Sequence, residues 1–191
     1  IVDTTAPIFT DVPADYTAEC SEELPESIAE AVDNCGEVSI SVEDTTTPGV
    51  CTGNYTITRV FTAMDDCGNS STSVQIQTIT IVDTTAPIFT DVPADYTAEC
   101  TDDISTGLMA SAIDDCGDVS VDFEDIITPG ICDGNYTISR VYTALDDCGN
   151  SAISTQIITV VDTTAPELTI PEDYTAECSD ELIMEEATAT D

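Results

Sequence analysis

The sequence predicts an all-β fold: tandem antiparallel β-sandwiches arranged head to tail as a rod. Three observations lead there. Val-Asp-Thr-Thr-Ala-Pro stands at Val2–Pro7, Val82–Pro87 and Val161–Pro166, and each copy leads to Asp-Tyr-Thr-Ala-Glu-Cys, ending at Cys20, Cys100 and Cys178; residues 1–20 and 81–100 are identical. That is a repeat of about eighty residues, and a period of this kind decides the architecture before any single element does. Within a repeat, short alternating segments rich in β-branched residues are separated by Gly, Pro, Asn and Asp, the pattern of a sandwich. Nine cysteines, four in each full repeat, accompany a complete lack of histidine. The expected division is 1–80 and 81–160 as two sandwiches, with 161–191 supplying the first strands of a third. Because the chain begins without Met and stops inside a repeat, it reads as a window on a longer repetitive polypeptide, or as a third unit completed by a neighbouring chain.

Taken in order, the joint comes first. Proline fixes its own φ and stiffens the residue before it, so Val-Asp-Thr-Thr-Ala-Pro is a short, rigid link. Ile8 to Cys20 is extended and broken at Pro13, as in an edge strand that changes partner. Ser21 to Glu26 is a turn, and Ser27 to Val32 a short strand. Asp33-Asn34-Cys35-Gly36 has turn chemistry. Glu37 to Glu43 alternates, with Val38, Ile40 and Val42 on one face. Asp44 to Asn54, with Pro48, Gly49 and Gly53, is expected to be a loop. Tyr55 to Met64 is the strongest strand. Asp65-Asp66-Cys67-Gly68-Asn69 is a second tight turn, and Ser73 to Ile81 is the last strand. The second repeat matches element by element, with a final strand two residues shorter.

Charge is the extreme property. There are 39 acids, two arginines and no lysine, for a net charge of -37. It is built into each unit: 14 acids against Arg59 in residues 1–80, 15 against Arg140 in 81–160, and ten with no base in 161–191. Such a surface repels nucleic acid and anionic membranes, and no apolar run is long enough to insert in a bilayer. Clean strand alternation and 41% hydrophobic residues argue against disorder. Catalysis finds no support without His or Lys, in units too alike to hold one unique active site, so the chain is read as no enzyme.

Repeated, even cysteine counts without histidine predict disulfides and an oxidising compartment. If the chain enters each repeat at the top, Cys20 and Cys51 fall at the bottom, and Cys35 and Cys67 at the top. The expected bridges are therefore Cys20–Cys51, Cys35–Cys67, Cys100–Cys132 and Cys116–Cys148. The same top collects acids: Asp3, Asp33, Asn34, Asp65, Asp66 and Asn69 in the first repeat, Asp83, Asp114, Asp115, Asp146, Asp147 and Asn150 in the second, and Asp162 at the third joint. Clustered carboxylates repel unless a cation sits among them, and Ca²⁺ takes six to eight oxygen ligands; the prediction is Ca²⁺ near the joints, against the bland reading that Asp and Asn simply favour turns. Arg59 and Arg140 are expected to be structural, each paired with a carboxylate and packed on aromatics. Asn54, Asn135 and Asn69 open N-glycosylation patterns.

Val-Asp-Thr-Thr-Ala-Pro, Thr-Ala-Glu-Cys, Asp-Asn-Cys-Gly and Ile-Thr-Arg-Val-Phe-Thr-Ala-Met-Asp-Asp-Cys-Gly-Asn, in that order, resemble the HYR-like, immunoglobulin-like repeats of giant bacterial surface proteins of the Bacteroidetes type. Phe61 and Tyr142 stand where that family usually has tryptophan. The resemblance implies an immunoglobulin-like sandwich, export to the cell surface and a structural role in an adhesin rod or filament. It names no ligand. Asp-Thr-Thr also resembles the O-glycosylation motif of such bacteria, which would place sugar on Thr4, Thr84 and Thr163, and on Thr45. Expected partners are further copies of the repeat, in the same or neighbouring chains. The alternative function is a Ca²⁺-dependent adhesion module that binds surface glycans or protein.

Overall fold

The computed structural model describes residues 2–73, 76–104, 109–132, 134–181 and 185–191, and within them the secondary structure is all β. The first repeat holds β1 (Ile8–Asp11), β2 (Tyr16–Glu19), β3 (Glu30–Val32), β4 (Val38–Pro48), β5 (Tyr55–Asp65), β6 (Ser70–Thr72) and β7 (Gln77–Val82). The second holds β8 (Ile88–Asp91), β9 (Tyr96–Glu99), β10 (Ser111–Ile113), β11 (Val119–Pro129), β12 (Tyr136–Asp146) and β13 (Ser151–Val161). A final hairpin-like pair, β14 (Glu167–Thr169) and β15 (Thr188–Thr190), follows. In each full repeat one layer is a large sheet, β2-β7-β5-β4 or β9-β13-β12-β11, and the other is a two-stranded sheet, β1-β3 or β8-β10; none mixes strands of the two repeats.

The broken first strand behaves as its proline predicts. Before Pro13 the chain pairs antiparallel with β3; after it, β2 pairs with β7. Two contacts fix the crossover. The buried Gln77 side chain donates from Nε2 to Ala14 O at 2.9 Å, and the Thr78 N–H donates to Asp15 Oδ1 at 2.6 Å. Gln156 with Ala94, and Ile157 with Asp95, repeat them. The β2–β7 and β9–β13 pairs are parallel, an exception to the antiparallel sheet expected.

Three boundaries differ from the sequence reading. The stretch from Asp44 is no loop as far as Pro48: β4 continues there in unbroken register, Thr45 opposite Thr58 and Thr47 opposite Thr56, and only 49–54 turns. β-branched residues sustain that extension although both faces are exposed, so no apolar alternation marks it. Of Ser27 to Val32, Glu30–Val32 alone is strand. The last strand of the first repeat is divided, its two extra residues falling between Thr72 and Gln77, whereas β13 is continuous; Val74 and Gln75 lie outside the described residues.

The core is small. Ala18, Ile79 and Ile81 form its lower part in the first repeat, with Tyr16, Leu24, Tyr55 and Ile57 against them; Ile138, Ile158 and Val160 do so in the second. Higher up, Phe61 and Tyr142 are fully buried. Alternation places the arginines on this same inner face. Arg59 Nε and Nη2 donate to the two carboxylate oxygens of Asp44, both at 2.8 Å, and Arg140 makes the same fork with Asp125 at 2.8 and 2.9 Å. Arg140 also lies over the Phe123 ring, 4.5 Å from its centroid. Both arginines are therefore structural, as the sequence suggested. Hydrogen bonding to the guanidinium holds the Asp44 and Asp125 carboxyls below the usual carboxylate range.

The two forks differ in burial: the Arg140 side chain is 3% exposed and that of Arg59 17%. Removing the partner of a buried charge costs more than removing that of a solvated one. Asp125→Asn is expected to cost about 3 kcal/mol at neutral pH and Asp44→Asn about 1 kcal/mol, read by denaturant unfolding. A depressed folded-state pKa contributes stability above the unfolded value and loses it as pH falls. The gap between wild type and Asp125→Asn is thus expected to close below about pH 4.

Candidate functional site at the joint between repeats

The lower end of the first repeat meets the upper end of the second through residues that the turns place there. β2 ends at Glu19 and Cys20, and the β4–β5 tip presents Cys51, Thr52, Gly53 and Asn54. Facing them are the joint Asp83–Pro87, the turn after β10 (Asp114–Gly117) and the turn after β12 (Asp146–Asn150). Asn54 Oδ1 accepts the Asp83 N–H at 2.7 Å, and the Glu19 carboxylate accepts both the N–H and the hydroxyl of Thr84. The Thr52 N–H donates to Asp147 Oδ2 at 2.8 Å, and Thr52 lowers the pKa of that carboxyl. Gly53 packs so closely that a Cβ there would lie 2.7 Å from Asp83 Cβ and 3.1 Å from Cys116 Cβ.

Two disulfides cross this joint: Cys20–Cys116, with Cα atoms 5.8 Å apart, and Cys51–Cys148, with Cα atoms 5.1 Å apart. The expected Cys20–Cys51 and Cys116–Cys148 bridges are therefore corrected. Cys35, Cys67, Cys100 and Cys132 are exposed free thiols, so the expected Cys35–Cys67 and Cys100–Cys132 bridges are not formed either. Strand direction assigned each cysteine to the right end of its repeat. The error was to pair sulfurs that share an end; each end abuts another repeat, and the nearest sulfur lies across the gap.

The acids at each top separate into distinct groups. Asp83, Asp114 and Asp146 converge, each offering a carboxylate oxygen within 4.8 Å of the others, and Asp3, Asp33 and Asp65 do the same in the first repeat. Every member also has a structural bond. Asp83 Oδ1 accepts the Thr85 N–H at 3.1 Å, Asp114 Oδ1 the Cys116 N–H at 2.8 Å, and Asp146 Oδ1 those of Cys148 and Asn150 at 2.9 and 2.8 Å. The Asn150 amide donates to Asp146 Oδ2 and to the Asp83 carbonyl, as Asn69 does to Asp65 and Asp3. What remains is informative: Oδ2 of Asp3, of Asp33 and of Asp83 is buried with no hydrogen-bond partner. Asp83 is 5% exposed and Asp146 4%. Burial raises the Asp83 carboxyl; the Thr85 N–H opposes this, while the charges of Asp114, Asp146 and Glu19 reinforce it.

Other predicted ligands lie elsewhere. Asn34, Asp66 and Asp115 are exposed, and Asp147 is taken by Thr52. Asp162 repeats the outer bonds of Asp83: its N–H donates to Asn135 Oδ1, and its Oδ1 accepts the Thr164 N–H. Of the threonines considered for sugar, Thr84 and Thr163 already give their hydroxyls to Glu19 and Glu99, while Thr4 and Thr45 are exposed. Sequence reasoning missed the joint roles of Glu19, Thr52, Gly53 and Asn54. The recurrence of Glu-Cys and of Cys-x-Gly-Asn in both repeats was the available signal.

No known protein family and no curated protein matches the chain. Among solved structures, it is similar to Drosophila N-cadherin EC1-4 at 14% identity, covering 83% of this chain and 50% of that one, with a TM-score of 0.42. It is also similar to human mucin-like protocadherin EC1-2, at 11% identity over 84% of this chain and 100% of that one, with a TM-score of 0.35. The chain thus spans half the length of the N-cadherin fragment it matches.

Gly53→Ala is expected to force the repeats apart at Asp83 and Cys116, costing roughly 1–3 kcal/mol by the usual penalty for overpacking. Slower closure of Cys20–Cys116 during oxidative refolding, with Cys51–Cys148 less affected, is the readout.

Proposed function

We propose that this chain is a segment of an extracellular structural rod or filament, in which sandwich units 1–80, 81–160 and the one begun at 161 are held in fixed succession by their joints. One observation carries the reading: two disulfides join one repeat to the next rather than closing each repeat on itself. A unit with so small a core gains little from isolation, and cross-linking successive units serves extension under load. Bridges of this kind require an oxidising compartment, which agrees with a place on a bacterial surface, the site suggested by the resemblance to HYR-like repeats. The partners are further copies of the same repeat.

In the same reading, Asp83, Asp114 and Asp146 hold a Ca²⁺ ion at the joint, and Asp3, Asp33 and Asp65 hold one at the top of the first repeat. Three clustered carboxylates, with a buried unpartnered oxygen on Asp83 in one group and on Asp3 and Asp33 in the other, suit a hard cation, and a spread of at most 4.8 Å equals twice a Ca–O distance of about 2.4 Å. The carboxylates supply part of the shell and water the rest. Bound there, the ion would neutralise repulsion that no basic residue in the cluster offsets, and so stiffen the joint.

Calorimetry of the chain with Ca²⁺ and with chelator tests this. At a hundred times Kd one site adds about 2.7 kcal/mol, so Tm is expected to rise by roughly 5–10 °C for each site filled. Asp83→Asn with Asp146→Asn should remove the contribution of the joint site and leave that of Asp3, Asp33 and Asp65. An unchanged Tm, with no Ca²⁺ heat by titration calorimetry, would defeat the cation assignment. Separately, a hinge-like spread of inter-unit angles in electron micrographs of the oxidised chain would defeat the rod.

A further inference from the structure

Four exposed thiols are, position for position, the counterparts of the four cysteines that bridge the joint. Cys35 and Cys67 stand where Cys116 and Cys148 stand, in Asp-x-Cys-Gly turns. Asp33 Oδ1 accepts the Cys35 N–H at 2.9 Å and Asp65 Oδ1 that of Cys67 at 3.0 Å, as Asp114 and Asp146 do below. Cys100 and Cys132 stand where Cys20 and Cys51 stand. The Cys100 N–H donates to Val161 O at 2.9 Å, as that of Cys20 does to Val82 O; the Cys132 carbonyl accepts the Asn135 N–H, as that of Cys51 accepts the Asn54 N–H. The surface around them is already arranged for a following unit. Asp162 is bound to Asn135 as Asp83 is to Asn54, and Thr163 to Glu99 as Thr84 is to Glu19. The link 162–166 therefore leaves the second repeat in the bonding pattern by which 83–87 leaves the first.

We propose that both ends of this two-repeat body are half-joints. Cys35 and Cys67 receive the strand-end and hairpin-tip cysteines of another unit of the same repeat, and Cys100 and Cys132 receive the cysteines of another unit's two Asp-x-Cys-Gly turns. Each junction then carries two bridges in one register, lower end to upper turns. The occupant is a sandwich with this turn chemistry, because two sulfurs must be met at once and only a unit with both turns offers both. Closing a bridge removes two protons and two electrons from a thiol pair. A small disulfide oxidant takes the electrons: one thiolate attacks it and releases one small thiol, and the second thiolate attacks the mixed disulfide and releases the other.

The test is disulfide mapping of the protein as it occurs, with all the repeats it carries. Free thiols are alkylated without reductant, the chain is cleaved at acidic residues, and linked peptides are identified by mass spectrometry. Cys100 and Cys132, distinguished from Cys20 and Cys51 by their flanking residues, are expected in separate peptides, each joined to an Asp-x-Cys-Gly peptide. Cys35 and Cys67 are expected joined to a Glu-Cys and a hairpin-tip peptide. Given those linkages, which uphold the register, a ladder on a non-reducing gel puts the partner on another chain and a single band puts it on the same chain. Cys35 joined to Cys67, Cys100 joined to Cys132, or all four alkylated would overturn it.

Discussion

In each upper turn an aspartate accepts the backbone N–H of the cysteine two residues later. Asp114 does so for Cys116 and Asp146 for Cys148. That short ring sets the direction of the Cys Cα–Cβ bond relative to a carboxylate that belongs to the cluster. Sulfur and carboxylate are therefore positioned by the same few atoms. A disulfide tolerates only a narrow range of Cα separation, and the observed 5.8 and 5.1 Å fall within it. Anything that shifts the acids shifts the sulfurs, so cluster and cross-link form one device.

The charge makes that device costly. Three carboxylates within a few ångströms oppose one another, and the joint buries them further by setting Asn54, Gly53 and Cys20 over Asp83. Burial disfavours the charged form and the neighbouring acids add to it, so Asp83 is pushed up, while hydrogen bonds from arginine pull Asp44 and Asp125 down. The chain has two arginines and spends both inside the sheets, leaving no base for the joints. Neutralisation must then come from outside the chain or not at all.

Much of this was legible in the residues. The period, the division at Pro13, the strongest strand and the role of the arginines follow from alternation and turn chemistry within a single repeat. The gathering of Asp3, Asp33 and Asp65 followed from tracing strand direction alone. What escaped was whatever depends on two repeats at once. Cys20 and Cys51 share an end, and nothing in one unit's spacing says that the nearer sulfur belongs to the next unit. The strand to Pro48 escaped for another reason: both its faces are solvated, so no apolar periodicity reports it. Asp66 and Asp147 look like Asp65 and Asp146 in sequence, yet Asp65 and Asp146 end their strands buried while Asp66 and Asp147 stand exposed in the turns that follow. One member of each pair enters the cluster, and Asp147 instead reaches across to Thr52.

Why two bridges per joint, when one would keep the units connected, is answered by geometry. A single tether beside the backbone leaves an axis about which one unit can swing on the other. Cys20 follows a strand at one side of the lower end, and Cys51 sits at the tip of the β4–β5 hairpin; with the peptide link through Asp83, the joint has three attachments. If these do not lie on one line, neither bending nor twisting is free. The bridges span 96 and 97 residues, so each also removes a long loop's worth of freedom from the unfolded chain, about 4–5 kcal/mol on the chain-entropy model. A bridge within one unit would have closed a loop of about 30 residues, for roughly 1 kcal/mol less on the same model, and would have left the joint free to hinge. The longer connection stabilises the fold and joins one unit to the next with the same sulfur atoms.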